Sequence, residues 1–139
     1  MSTEVLAVSV TKLHDRFVMQ NGREPSDADV YDMARWAWLR IGDRAMSCRL
    51  VFACVHGRIN GVFEVQEWFS CGEARNRPEL RPSAPEGSLR YKEIERDVEE
   101  NRRKAFIGNV ADCANQFVGK EAPRLCGPIG YTAVNCPAL

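Results

Sequence analysis

The sequence is short of several things, and each shortage removes a class of function. It carries no net charge, because 19 Lys and Arg are matched by 19 Asp and Glu. A generic polyanion binder held by long-range attraction is therefore not expected. Only two histidines are present, His14 and His56, far apart in the chain, and none of the six cysteines (Cys48, Cys54, Cys71, Cys113, Cys126, Cys136) forms a C-x-x-C pair. The clustered ligands of a structural zinc site are missing, so each Cys reads as a small buried hydrophobe and no metal or cofactor is expected. No stretch approaches membrane-spanning length. The start, MSTEVLAVSVTK, lacks the basic region and long apolar run of a signal peptide. A cytoplasmic chain with reduced thiols and no membrane partner is the expectation.

Catalytic signatures are equally scarce. There is no G-x-S-x-G elbow, no G-x-x-x-x-G-K-[ST] loop and no H-E-x-x-H. Gly119-Lys120 lacks the glycine spacing and the Ser/Thr of a phosphate loop. Glu64 and Glu67, three apart on a strand, fall on opposite faces and suit shared acid–base work poorly. Cys54 and His56 are near in sequence but flank a turn, which is weak ground for a nucleophile and its base. No catalytic residue is assigned.

What remains is an ordinary globular composition, 45% hydrophobic and 27% charged over 139 residues, enough for one domain with a buried core. Fifteen of the cations are Arg and four are Lys. Arg offers a flat fork for phosphates and base edges and stacks on aromatics, although a GC-rich coding sequence gives the same bias.

Residues 4–11 read as a strand, and 12–26 end in turn chemistry. Ser26 is a good N-cap for a helix from about Asp27 to Leu39, with Asp27 and Asp29 in its first turn. At 100° per residue Val30, Met33, Ala34, Ala37 and Ile41 make its apolar stripe. Trp38 falls on the stripe's edge beside Tyr31. Trp36 falls off it, among Asp29, Asp32 and Arg40, toward solvent or a neighbouring element. Residues 48–55 and 58–69 read as a hairpin about His56-Gly57. Gly61 within the second strand signals a bulge or a close backbone approach. Residues 70–88 form a long loop, followed by a charged helix over 89–104 with a thin stripe of Tyr91, Ile94 and Val98, read as a solvated surface helix. Residues 105–110 are a short strand, 111–118 a short helix or turn, and the rest a loop-rich tail. The pattern predicts α+β, with a small, strongly bent mixed or antiparallel sheet and flanking helices, as a single domain over 1–139.

Aromatics and arginines interleave along this frame. Tyr31, Arg35 and Trp38 share one edge of the helix. Trp68 closes the hairpin, and Arg44, Arg49, Arg102, Arg103 and Lys104 flank these elements. Such mixtures suit base stacking with phosphate contacts; equally, the aromatics can rim a core and Arg35 can be an ion-pair partner.

Y-D-x-A-R-x-x-W at 31–38, the R-A that follows, L-V-F-A-C-V-H-G-R-I-N-G-V-F-E-V-Q-E-W at 50–68, A-F-I-G at 105–108 and V-G-K at 118–120 together resemble a bacterial family. They are similar to the C-terminal domain of uncharacterised proteins that carry an N-terminal GIY-YIG nuclease domain. Tyr31, Arg35, Trp38; Val55, Gly57, Gly61, Val62, Phe63, Trp68; Phe106, Gly108; and Gly119, Lys120 match its motifs, over roughly residues 5 to 137. The nuclease domain is absent here, Trp36 replaces a small residue, residues 70–104 look like an enlarged insertion, and the closing Asn-Pro element is interrupted by Cys136.

The resemblance implies a domain that selects nucleic acid, similar to the small PUA, ASCH and EVE barrels that read flipped or modified bases. The expected function is a non-catalytic module reading a base or modified base in DNA or RNA. Tyr31, Arg35, Trp38, Trp68 and Lys120 would line its pocket, and Arg44, Arg49, Arg102, Arg103 and Lys104 would hold phosphates. The rival readings are a small enzyme on a nucleoside or other small molecule, using Lys120 or Glu64, and a protein-interaction adaptor. In the last, Trp36 and the 89–104 helix contact a partner or a second copy of the chain.

Overall fold

The computed structural model of the chain describes residues 2–39 and 41–136. Arg40, expected beside Trp36, and Pro137 of the closing element lie outside the described residues.

The apolar run at Thr3–Ser9 forms strand β1. The chain turns directly into helix α1, Thr11–Asn21, which ends at Gly22 in the left-handed region with φ 67°. Helix α2, Asp27–Arg35, opens on a reciprocal cap in which the Ser26 hydroxyl accepts from the Asp29 amide and the Asp29 carboxylate accepts from that of Ser26. After a single turn, α3 (Asp43–Met46), strand β2 (Leu50–Val55) returns parallel to β1, with Val5 opposite Leu50. His56 and Gly57, at φ 48° and 76°, turn the chain into β3, Arg58–Ser70. Two left-handed residues are what a two-residue turn of this hand requires. The expected irregularity near Gly61 is present: Asn60 is left unpaired between Ala53↔Gly61 and Cys54↔Ile59. Strands β4 (Lys104–Val110) and β5 (Ile129–Val134) add antiparallel at the two edges, giving the order β4-β3-β2-β1-β5.

The class is α+β with a mixed sheet, as expected. The sheet is open, since β4 and β5 do not meet, and the PUA/EVE-like barrel is not formed. Helices α1 to α3 cover one face over Leu6, Val8, Val51, Ala53, Phe63 and Phe106. Residues 111–126 cover the other over Val5, Ala7, Phe52, Cys54, Ile59 and Val62. Burial on both faces explains why β1 and β2 are apolar at successive positions rather than alternating. No helix among the described residues is long and apolar enough to cross a membrane.

Three α-helices or strands were not expected: α1, almost wholly within residues 12–26, the single turn α3, and β5 within the tail. Helix α2 stops four residues early. Its carboxyl end is replaced by an extended stretch in which Trp38 and Lys104 exchange backbone hydrogen bonds of 2.8 and 3.0 Å, with Ala37 forced to φ 71°. The Trp38 indole N–H donates at 2.7 Å to the Ala34 carbonyl, one of the acceptors a helix end leaves unpaired.

Trp36 therefore does not follow the helical phase. Its side chain is 2% exposed and sits in a third apolar cluster with Phe69, Cys71, Leu80, Ile94 and Val98. Its indole N–H donates to the Asp97 carboxylate at 3.1 Å. Ile94 and Val98 belong to helix α4, Leu89–Glu100, so the insertion is pinned to the domain through Trp36. The neighbouring element that Trp36 meets is thus the insertion itself, which leaves the ring no exposed face to anchor a partner, and α4 turns Ile94 and Val98 of its thin apolar stripe inward.

Replacing Trp36 is expected to expose that dependence. Trp36→Ala should cost about 3–5 kcal/mol in denaturant unfolding. Trp36→Phe, which removes the donor to buried Asp97 and part of the ring volume, should cost about 1–3 kcal/mol. A loss below about 1 kcal/mol for the alanine variant would mean that the insertion does not need this ring.

Candidate functional site

The residues expected to form a stacking cradle are dispersed. Arg35 is 4% exposed; its Nε donates to Asp32 at 3.0 Å and its Nη1 to the Leu80 carbonyl at 2.7 Å. It secures the insertion loop to α2. The Tyr31 hydroxyl accepts from the Gly108 amide at 2.8 Å, and its ring packs between Phe63 and Phe106. No side chain longer than hydrogen fits at Gly108, where a Cβ would lie 2.0 Å from the Glu64 carbonyl oxygen. Trp68 leans edge-on against Phe106 and lines a separate shallow hollow with Met46, Arg49 and Glu67. Lys120 is exposed beside the start of β3, its carbonyl accepting from the Ile59 amide.

The expected phosphate contacts are likewise spread. Arg44 pairs with Glu4 at 2.9 Å and stacks on Tyr131. Arg49 pairs with Glu64 at 3.0 Å. Arg102 lies 3.8 Å from Glu100, and the Lys104 amine donates to the Ser70 hydroxyl at 2.6 Å. Arg103 is the exception. Together with Trp38 it lines a cavity of about 660 Å³ at the carboxyl end of β1.

That cavity has three main walls, with Arg103, Gly127 and Pro128 lining it beside them. Ser9 and Val10 end β1, and Lys12 and Leu13 belong to the first turn of α1. This turn has no side-chain cap and no acidic residue, so its free amides leave a partial positive charge there. Trp36, Ala37 and Trp38 supply a second wall, and Arg90, Glu93, Arg96 and Asp97 of α4 a third. The lining carries four cations (Lys12, Arg90, Arg96, Arg103) against two carboxylates, in a chain whose total charge is zero.

Both carboxylates are engaged. Glu93 pairs with Arg16 of α1 at 2.7 Å. Asp97 accepts from Trp36 and lies 3.6 Å from Arg103 Nε. Burial raises the pKa of Asp97 above the ordinary carboxylate value, against the opposing pull of Trp36 and the nearby arginines. Arg103 also donates to the Ala37 carbonyl at 3.2 Å. Arg90 is different. Its Nη1 approaches Glu93 only to 3.8 Å, and its Nη2 is buried with no acceptor among the described residues. Desolvation lowers its pKa from the usual guanidinium value. A shielded donor without an acceptor is costly, and Arg90 is one of the residues that line the cavity.

Cys54 and Cys71 are poor nucleophiles. Desolvation pushes Cys54 up to about 11 and Cys71 up to about 12, leaving little thiolate at neutral pH. Cys54 donates to the Phe52 carbonyl rather than pairing with His56.

Lys12, Arg90 and Arg96 escaped the sequence reading because α1 was not foreseen and α4 was taken as a solvated face. The available signal was a Lys at the start of an uncapped helix directly after a strand. No protein-family model matches the chain, and neither a curated protein nor a solved structure matches it.

Two substitutions separate scaffold from site. Tyr31→Phe should cost about 1 kcal/mol of stability through the lost Gly108 bond while leaving the cavity intact. Ala37→Gly, which relieves a left-handed alanine, should raise stability by about 0.5–1 kcal/mol. Thermal and denaturant unfolding measure both.

Proposed function

We propose that the chain is a non-catalytic nucleic-acid-binding module and that the cavity at the carboxyl end of β1 takes one nucleotide unit, a base or modified base with its phosphate. The carrying observation is Arg90, whose shielded guanidinium has a donor to spare. A phosphate oxygen supplies the missing acceptor and matches the fork of the guanidinium. Arg96, Arg103, Lys12 and the uncapped start of α1 complete a positive surround. Helix amides and arginines together favour phosphate strongly. Trp38 and the Trp36 edge border the space where a planar ring would lie. The volume of about 660 Å³ lies within the range of small-molecule sites.

This relocates the pocket expected from sequence. Trp38 and Arg103 stay in it; Tyr31, Arg35, Trp68 and Lys120 fall outside its lining.

Because few cations converge here, binding should show a shallow salt dependence. The test is titration of labelled oligonucleotides, with and without modified bases, and of mononucleotide competitors. Arg90→Ala should weaken binding about tenfold or more, as expected for a lost charge-assisted contact. Arg23→Ala, at a residue paired with Asp29 on α2, serves as the control and should change little. No binding above background to any oligonucleotide, or unchanged affinity in Arg90→Ala, would reject the proposal.

A further inference from the structure

The two histidines, remote in sequence, meet at one carboxylate. His14 and Asp15 lie on α1, and His56 lies in the β2–β3 turn. His14 Nδ1 is 3.0 Å and His56 Nε2 2.8 Å from the same Asp15 Oδ1. The ligand atoms of all three lie within 4.8 Å of one another.

Two features show that this is more than surface pairing. First, His56 occupies a left-handed turn position at φ 48°, where Asn, Asp or Gly is the favoured residue. The turn is also tied to α1, because the His56 amide donates to the Thr11 hydroxyl at 3.1 Å. That bond fixes the turn carrying His56 against the helix carrying His14 and Asp15. Second, His14 faces a carboxylate oxygen with both ring nitrogens: its Nε2 is 2.7 Å from Glu24 Oε2. A neutral imidazole has a single N–H. With that proton given to Glu24, Nδ1 presents a lone pair to the oxygen of Asp15. Something positive must stand between them, either a second proton or a metal ion.

We propose that His14 Nδ1, His56 Nε2 and the Asp15 carboxylate bind a divalent transition-metal ion of the zinc class, with Glu24 orienting His14 from behind. Two imidazoles and a carboxylate favour zinc, copper or nickel over calcium or magnesium. Three protein ligands leave a coordination position open. Asp15 and His56 have half-exposed side chains, so that position faces water. Glu24 on the far nitrogen of His14 repeats the outer carboxylate that fixes ring and tautomer at many metal-bound histidines. Protons and metal compete for the imidazole nitrogens, so affinity declines as pH falls. The site is separate from the nucleotide cavity, and its test is independent of that proposal.

The experiment is calorimetric titration of the metal-free protein with Zn²⁺ alone, repeated with Co²⁺ followed by visible absorbance. It is run on a Cys126→Ser background, because Cys126 is the one exposed thiol among the described cysteines. Saturable binding of one ion per chain is expected, with the cobalt bands of a nitrogen–oxygen site and a Zn²⁺-dependent rise in Tm. His56→Asn keeps a residue suited to the turn and removes a ligand; it should abolish saturation and the Tm shift. Glu24→Gln should weaken binding about tenfold to a hundredfold. No saturable Zn²⁺ binding by the parent, or equal binding by a folded His56→Asn, would overturn the proposal and leave His14 held by protons alone.

Discussion

The exchange of backbone hydrogen bonds between Trp38 and Lys104 is the constraint from which most of the other features follow. It pulls the chain out of α2 after Arg35 and into an extended path beside β4. Trp36 and Trp38 then enter two different apolar clusters instead of two faces of one helix. One ring closes the main core and the other holds the insertion. The short extended link between them contributes Ala37, whose carbonyl anchors Arg103, and so forms a wall of the cavity. Had the helix run on, the insertion would have lost one of its attachments and the cavity one of its sides.

The legible parts of the sequence were those set by local chemistry. The hairpin about His56-Gly57, the bulge near Gly61 and the Ser26 cap all depend on a few adjacent residues, and all are present. What was not legible depends on distant partners. The helical phase of Trp36 was read on the assumption that α2 continued, and nothing local to residues 36–39 reveals that Lys104 competes for their backbone. Helix α1 was hidden by the turn residues that follow it, and β5 by the Gly and Pro around it. Arg35 was open to reading as an ion-pair partner of Asp32, but its bond to the Leu80 carbonyl spans the insertion. The histidine cluster shows the same limit, since its members are joined only by the docking of a turn on a helix.

Zero net charge conceals an uneven field. Most arginines are paired at the surface, Arg44 with Glu4 and Arg49 with Glu64 among them, and pairs so exposed contribute little to stability. They do remove those cations from competition for a ligand. Where α4 faces the start of α1, four cations line the cavity against two carboxylates. A shielded guanidinium there interacts with a guest more strongly than any solvated one, because water screens it less.

The position of β5 has a kinetic side. It pairs with β1 along nearly the whole length of both strands, from Thr3↔Val134 to Val8↔Ile129, yet the two lie at opposite ends of the described chain. Closing so large a loop is slow, because its entropy is lost before the pairing repays it. Until then β1, apolar at four successive central positions, remains an unguarded sheet margin able to recruit any passing strand. The last strand to dock is thus the one that makes the first strand safe.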